Sequence, residues 1–191
     1  MITNFSTSSV RTGIKRKRFW DQSAVANSFF SIATTTVGSG GASDITFSNI
    51  PQTYTHLQIR AIFSTSVSER SVRILFNSDT ATNYSYHYLE GYNTTVSSSA
   101  ASTIAYGLIG VTPASTTYPG SCVADILDYR DTNKFKTVRS IAGGDPNALG
   151  SYAWFASSNW RSTSAITSIK LYPSSGNFNQ YTQFALYGVL A

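Results

Sequence analysis

The chain has 191 residues, a formal net charge of +5 and a charged fraction of 12%, about half of the roughly 25% found in average globular proteins. This length fits one domain that buries a core of its own. No run approaches the ~18 apolar residues of a transmembrane helix. The single cysteine, Cys122, excludes an intrachain disulfide.

Residues 1–27 are predicted to form an arm separate from the rest of the chain. Their net charge is 5 − 1 = +4, which leaves 9 − 8 = +1 for residues 28–191. They contain few apolar residues and no alternation, so they cannot bury enough surface to fold alone. A Phe-Trp pair beside a basic block indicates docking on a partner rather than a solvating tail. The predicted docking residues are Arg11, Lys15, Arg16, Lys17, Arg18, Phe19 and Trp20.

Two other interpretations of the arm stay open. One is a disordered tail. The other is nucleic-acid binding, through phosphate neutralisation by Lys15 to Arg18 and base stacking on Phe19 and Trp20. We rank nucleic acid below protein docking, because the nearly neutral body lacks the extended basic face that most nucleic-acid-binding domains present.

Alternating apolar and polar residues begin near Phe29 and predict half-buried antiparallel strands. The clearest case places Leu57 and Ile59 on one face and Gln58 and Arg60 on the other. Turn residues such as Gly38-Ser39-Gly40-Gly41 separate the strands. In the first half of the body, the predicted strands cover 29–37, 44–47, 57–63, 72–76 and 84–92.

The second half continues the pattern, with one interruption. The Ser/Ala-rich segment 96–103 is predicted to be a loop. Strands are expected at 104–111, 122–129, 135–142 and 151–160. The final stretch, 164–191, is predicted to be a closing β-hairpin whose turn is Ser174-Ser175-Gly176-Asn177 and whose last strand is central in its sheet. About ten short strands without helices predict an all-β fold, an antiparallel jelly-roll-like β-sandwich over 28–191.

No catalytic residues are predicted. His56 and His87 lie far in sequence from Cys122 and from any nucleophile motif. Cys122 opens an apolar strand and is expected to be a small core residue rather than a reactive thiol. Asp125 and Asp128 are separated by an odd number of residues, which favours opposite sheet faces over paired carboxylates, so they are expected to be solvated or salt-bridged.

No cofactor or metal site is predicted either. Asn77-Ser78-Asp79 lacks the other ligands of a calcium loop and is better explained as an Asx turn. Gly38-Ser39-Gly40-Gly41 leads into a strand rather than into a helix, which argues against a phosphate loop.

The aromatic residues of the later strands are candidates for glycan or subunit contacts, because tyrosine and tryptophan rings stack on sugars and also fill subunit interfaces. An aromatic sandwich core is the competing explanation. The candidates are Tyr84, Tyr86, Tyr88, Tyr92, Trp154 and Trp160, with Tyr106 nearby.

Four segments together resemble a recurring β-sandwich module of tailed-bacteriophage virion proteins. They are TTTVGSGGASDITFSNIPQTYTHLQIRAIF (34–63), VRILFNSDTATNYSYHYLEG (72–91), NKFKTVRSIAG (133–143) and WRSTSAITSIKLYPSSGNFNQYTQFALYGV (160–189). The resemblance implies a structural or attachment role without enzyme activity, and a homo-oligomer, a trimer.

The expected function is therefore that of a tail-associated virion structural protein, a fibre or adaptor component anchored by its arm to other virion proteins. A capsid cement or decoration protein is the alternative within this class. A carbohydrate-binding host-attachment module, recognising a host surface glycan, is the alternative from another class. The expected location is the virion, after synthesis in the host cytoplasm without a signal peptide or membrane insertion.

Overall fold

The computed structural model describes residues 28–67, 70–112, 117–147 and 150–190. These residues form twelve strands and no helix. The predicted arm, 1–27, lies outside the described residues. The strands are β1 Phe29–Thr36, β2 Ile45–Phe47, β3 His56–Phe63, β4 Arg70–Phe76, β5 Tyr84–Tyr92, β6 Thr95–Ile104, β7 Gly107–Thr112, β8 Gly120–Leu127, β9 Lys136–Gly144, β10 Tyr152–Trp160, β11 Ile169–Pro173 and β12 Gln183–Val189.

The strands form two antiparallel sheets that pack into a sandwich. The larger sheet has eight strands in the order β1-β12-β3-β8-β9-β10-β5-β6, and the smaller has four in the order β2-β11-β4-β7. The chain crosses repeatedly from one sheet to the other, since β1, β3, β5 and β12 lie in the larger sheet and β2, β4, β7 and β11 in the smaller. The predicted all-β sandwich is confirmed.

Alternation of side chains along the strands places the core between the sheets, although Gln58 on the outer face of β3 is also buried. In β3, Leu57, Ile59 and Phe63 are fully buried, whereas Ile62 is 54% exposed on the opposite face. Val72 and Ile74 of the smaller sheet are equally buried. Each such side chain contributes about 1.5–3 kcal/mol through burial, so the alternation that identifies the strands also supplies the apolar surface that holds the sheets together.

The predicted C-terminal hairpin is wrong. The strand β11 pairs with β2 and β4 in the smaller sheet, whereas β12 pairs with β1 and β3 in the larger one. The segment between them therefore crosses the sandwich, with Gly176 in a left-handed conformation at φ 71°. Two apolar strands that follow each other in sequence can pair as a hairpin or lie in opposite sheets of a sandwich. Here both strands are buried in opposite sheets. The last strand was predicted to be central in its sheet; β12 has a neighbour on each side but is second from the edge of the eight strands.

The predicted loop at 96–103 is also wrong, because these residues belong to β6. Every residue of β5 from Tyr84 to Tyr92 has a partner in β6, with one register shift after Tyr84. As an edge strand outside the core, β6 needs no large apolar side chains and is exposed at most positions. Backbone pairing with β5, rather than side-chain pattern, makes it a strand.

A buried aromatic cluster closes one end of the core around the turn after β4. Tyr84 and Trp160 stack at a ring-centroid distance of 6.3 Å, and Phe76 lies 5.5 Å from Trp160. The Asp79 carboxylate accepts hydrogen bonds from Trp160 Nε1 at 2.7 Å, from Asn83 Nδ2 at 2.9 Å and from the Ala81 backbone N–H at 2.9 Å. The last of these is the bond of an Asx turn, as predicted for this segment.

Lys136 is a fully buried lysine at the start of β9. Its Nζ donates to the backbone carbonyls of Asp131, Lys134 and Thr163. Burial lowers its pKa, while the charges of Asp131 and Asp128 oppose that shift. The three carbonyl bonds tie the β8–β9 turn to the loop after β10.

Within the described ranges, no helix has the length and apolar character needed to cross a membrane.

Candidate binding surfaces

The outer face of the larger sheet carries a row of exposed apolar side chains, which we call the outer row. It consists of Val123, Ile141, Phe155 and Leu89 on the adjacent strands β8, β9, β10 and β5. Each is directly opposite the next in the register. Their exposed fractions are 42%, 64%, 47% and 52%. Contiguous exposed apolar surface of this kind marks interaction sites in soluble proteins.

A chain of polar contacts borders the outer row. Arg60 Nε donates to Gln58 Oε1 at 2.8 Å, and Gln58 Nε2 donates to Asp125 Oδ1 at 2.8 Å. Arg139 pairs with the other Asp125 oxygen at 3.4 Å. Arg139 and Asp125 form an ion pair, and Arg60 donates to the neutral Gln58, so the border carries a net charge of +1.

The second candidate surface is a cleft on the opposite, inner side of the same sheet, which we call the aromatic cleft. The larger sheet ends in β5 and β6, and the cleft lies between these strands and β7, the last strand of the smaller sheet. Its volume is about 520 Å³. It is lined by Ser71, Tyr86, Tyr88, Glu90, Tyr92, Thr95, Ser97, Tyr106, Leu108, Val111, Trp154 and Ser174.

The rings of the aromatic cleft form a continuous row. Tyr88 stacks on Trp154 at 3.9 Å between ring centroids, Tyr86 follows at 5.9 Å from Tyr88, and Tyr106 lies 6.5 Å from Tyr86. The Arg73 guanidinium ends the row, 3.9 Å from the Tyr106 ring centroid. The rings are close to parallel, with interplanar angles of 24°, 25° and 23° along the row.

Polar groups accompany the rings. In the β5–β6 register Glu90 is opposite Ser97, and Tyr92 is opposite Thr95, so the hydroxyls of the edge strand share a face with the ring row. Trp154 is 4% exposed and its Nε1 has no hydrogen-bond partner among the described residues. Buried indole N–H groups ordinarily have a partner.

The structure divides the six aromatic candidates into two groups. Tyr86, Tyr88, Tyr92 and Trp154 line the aromatic cleft. Tyr84 and Trp160 are 1% and 2% exposed and belong to the core cluster around Asp79, where neither a glycan nor a subunit could reach them. The arm residues Arg11, Lys15, Arg16, Lys17, Arg18, Phe19 and Trp20 lie outside the described ranges.

Cys122 is a core residue, as predicted. It is 3% exposed, and its thiol donates to the Ile109 carbonyl at 3.4 Å. Burial raises its pKa to about 12, so the thiol is protonated at neutral pH and is a poor nucleophile.

The two carboxylates considered for catalysis have separate ionic partners. Asp125 pairs with Arg139, and Asp128 pairs with Lys134 at 2.8 Å. Asp128 follows the end of β8 in a left-handed conformation at φ 48°, so strand alternation does not determine its direction. The prediction that both are solvated or salt-bridged is confirmed.

The described residues contain no group of three or more His, Cys, Asp and Glu side chains that could hold a metal ion. No family model, curated protein or solved structure matches this chain.

The sequence predicts a binding role for the aromatic residues of the cleft but does not predict the outer row. Alternation alone predicts that Val123, Ile141 and Phe155 are exposed, because they face away from the core in strands whose inward faces also carry apolar residues. Only the register between strands shows that these residues form one row.

Proposed function

We propose that this chain is a non-enzymatic virion structural protein of a tailed bacteriophage, a tail-associated fibre or adaptor component that assembles with copies of itself and with other virion proteins. The observation that carries the proposal is the outer row, an apolar strip on a rigid β-sandwich. The sequence resemblance described above supplies the class of particle. The engagement of Cys122, Asp125 and Asp128 in packing and ion pairs further supports a role without catalysis.

We assign the outer face of the larger sheet to the contact between copies. In a trimer the outer face of each copy contacts two neighbours through different parts of its surface. Eight strands about 4.8 Å apart and about 27 Å long present roughly 900 Å² of sheet for the two contacts together, of the order of the ~800 Å² that each partner buries in a stable interface. The net charge of residues 28–191 is 9 − 8 = +1, so two bodies repel each other weakly. Asp125 and Arg139 lie on the two middle strands of this face, β8 and β9, so their charges remain paired with each other inside such a contact.

The arm supplies the second attachment in this proposal. Phe19 and Trp20 are buried against a neighbouring virion subunit, and the block from Lys15 to Arg18 faces acidic groups of that neighbour. A buried interfacial tryptophan is often a hot spot, so Trp20→Ala costs about 2 kcal/mol or more of binding, chiefly through faster dissociation. Charges at a rim act mainly on encounter, so Lys15→Gln with Lys17→Gln slows association and weakens its dependence on salt.

The test is binding of the purified full chain to particles assembled without it, together with its oligomeric state by sedimentation velocity. We expect a trimer that binds the particle tail. Ile141→Asp places a charge in the outer row and should dissociate the trimer without unfolding it. Thr46→Asp is the matched control, because Thr46 is exposed on β2 of the smaller sheet and lies away from the outer face of the larger sheet.

Three results would contradict parts of the proposal. A full chain that remains monomeric at about 100 μM, or an Ile141→Asp variant that assembles normally, would exclude the outer row as the contact between copies. Undiminished incorporation of a chain lacking residues 1–27 would exclude the arm. Antibody labelling of the capsid shell rather than the tail would replace the tail assignment with that of a cement protein.

A further inference from the structure

We propose that the aromatic cleft is a binding site for an uncharged oligosaccharide built of hexopyranose units. This inference rests on the inner side of the larger sheet and is independent of the outer row and of the arm. The cleft volume of about 520 Å³ falls within the ~300–1,000 Å³ of ordinary small-ligand sites, and the cleft opens along the edge strand β6, where a chain of sugars could extend into solvent.

The rings provide a stacking platform. The face of an aromatic ring carries negative charge, which attracts the C–H groups on the apolar face of a pyranose ring. Tyr88 uses one ring face in its close stack on Trp154 at 3.9 Å. Tyr86 lies 5.9 Å from Tyr88 and 6.5 Å from Tyr106, distances at which near-parallel rings overlap only partly and leave part of each face for a sugar. Because the platform is fixed before binding, little side-chain entropy is lost when a sugar docks.

The polar groups match the rim of a sugar ring. Trp154 Nε1 is a buried donor without a partner in the described part of the chain, and a sugar oxygen would satisfy it. Glu90 is an acceptor for sugar hydroxyls, and Ser97 and Thr95 on β6 can both donate and accept. Burial, followed by the neighbouring Tyr106 and Tyr88, raises the pKa of Tyr86, so its hydroxyl remains a donor at neutral pH.

Charge favours a neutral sugar over a phosphorylated or acidic one. The described lining contains the carboxylate Glu90 and no lysine or arginine. The Arg73 guanidinium lies against Tyr106 at the far end of the ring row, whereas a polyanion that fills the cleft, such as a nucleic acid or a teichoic-acid phosphate, would also place its charge beside the Glu90 carboxylate. An unbranched neutral oligosaccharide meets no such penalty.

The experiment applies the full chain to an immobilised array of neutral, acidic and amino-sugar oligosaccharides. The best neutral binder is then titrated in solution while the indole N–H resonances are followed by NMR. We expect the Trp154 resonance to shift on saturation, since its N–H gains an acceptor. The Trp160 resonance serves as an internal control, because that N–H already donates to Asp79 at 2.7 Å. Trp20→Phe, Trp154→Phe and Trp160→Phe assign the three signals.

Variants test the location of the site. Tyr88→Ala should weaken binding about tenfold by removing the centre of the platform, and Ser97→Ala, on an exposed edge strand, should weaken it about threefold without risk to the fold. Tyr187→Ala is the matched control, since Tyr187 stacks on Arg60 at the outer face, and it should bind like the unmodified chain.

Several results would overturn the inference. One is that no neutral oligosaccharide binds at millimolar concentration, and another is that only acidic sugars bind. The inference would also be wrong if Tyr88→Ala and Ser97→Ala left binding unchanged, or if binding shifted the Trp160 signal alone. Particle incorporation and trimer formation do not involve the cleft, so loss of this site would leave the proposed virion role standing, and the reverse also holds.

Discussion

Replacing Asp79 by alanine should destabilise the sandwich by about 2–4 kcal/mol. The Asp79 carboxylate accepts a hydrogen bond from Trp160 Nε1 at 2.7 Å, and Trp160 is 2% exposed. When the carboxylate is removed, the buried indole N–H has no hydrogen-bond acceptor, which lowers the free energy of unfolding by about 1–3 kcal/mol. The bonds from Asn83 and Ala81 at 2.9 Å lie nearer to solvent, where water replaces the lost oxygen, and add about 0.5 kcal/mol each.

Urea denaturation at pH 7, followed by circular dichroism, measures this loss. Asp145→Ala is the matched control, because Asp145 forms a similar exposed turn with Asn147 N and Ser151 Oγ, both at 2.9 Å, but holds no indole. The cost of Asp79→Ala should also shrink in a Trp160→Phe background, since the two residues then no longer interact. Equal costs for Asp79→Ala and Asp145→Ala, or a cost unaffected by Trp160→Phe, would refute the reasoning.

The pH dependence of this effect has a definite sign. Burial raises the pKa of Asp79, but the hydrogen bonds from Asn83, Trp160 and Ala81 outweigh it, and the net effect lowers the pKa below the ordinary 3.8. Its stabilising contribution is therefore present above pH 3.8 and is lost as the pH falls through the lower folded-state value. The difference between Asp79→Ala and the unmodified chain should narrow below pH 3.8.

Three further predictions concern the body. Lys136→Met should lower the free energy of unfolding of the body by about 1–3 kcal/mol in urea denaturation, because three backbone carbonyls lose their buried donor. Lys134→Met, at an exposed lysine, is the control and should change the free energy of unfolding far less. The raised pKa of Cys122 stabilises the fold fully below the ordinary thiol value of 9.0, and this contribution is lost as the pH rises towards about 12. Cys122→Ala should therefore delay the alkaline fall in the urea midpoint until about pH 10, where Tyr84 and Tyr152, whose pKa values burial also raises, begin to ionise in the unfolded chain. An alkaline fall that begins at the same pH in Cys122→Ala and in the unmodified chain would contradict this. Residues 28–191 should unfold cooperatively without the arm, since every described strand lies after Ser28; a non-cooperative melt would place the domain boundary elsewhere.

The sequence predicts strand positions well where one face of a strand is buried. Alternation in β3, with Leu57 and Ile59 inward and Ile62 outward, identifies the strand and its faces together. It fails for β6, whose Ser/Ala composition reflects two exposed faces and whose conformation depends on pairing with β5. It also fails for the connection between β11 and β12, because local pattern does not specify which sheet a strand joins.

The sequence likewise predicts only part of the aromatic cleft. Tyr86, Tyr88 and Trp154 could be selected as aromatic residues with a role outside the core, but Tyr84 and Trp160 looked equivalent to them in the sequence. The difference arises from position along β5 and β10, since the smaller sheet covers one end of these strands and leaves the other end open as the cleft. Such coverage is a property of the two sheets together, and no single strand encodes it.

Quantitative mass spectrometry of purified, infectious phage particles, prepared from a phage whose genome carries the coding sequence, tests the proposed virion role most directly. The account predicts that the chain is present in every preparation, in a fixed copy number that is a multiple of three. It also predicts that the chain remains after washing at high salt, because the proposed apolar contacts of Phe19 and Trp20 with the neighbouring virion subunit are not screened by salt. Its absence from washed infectious particles, or a copy number that varies freely between preparations, would contradict a structural role in the virion.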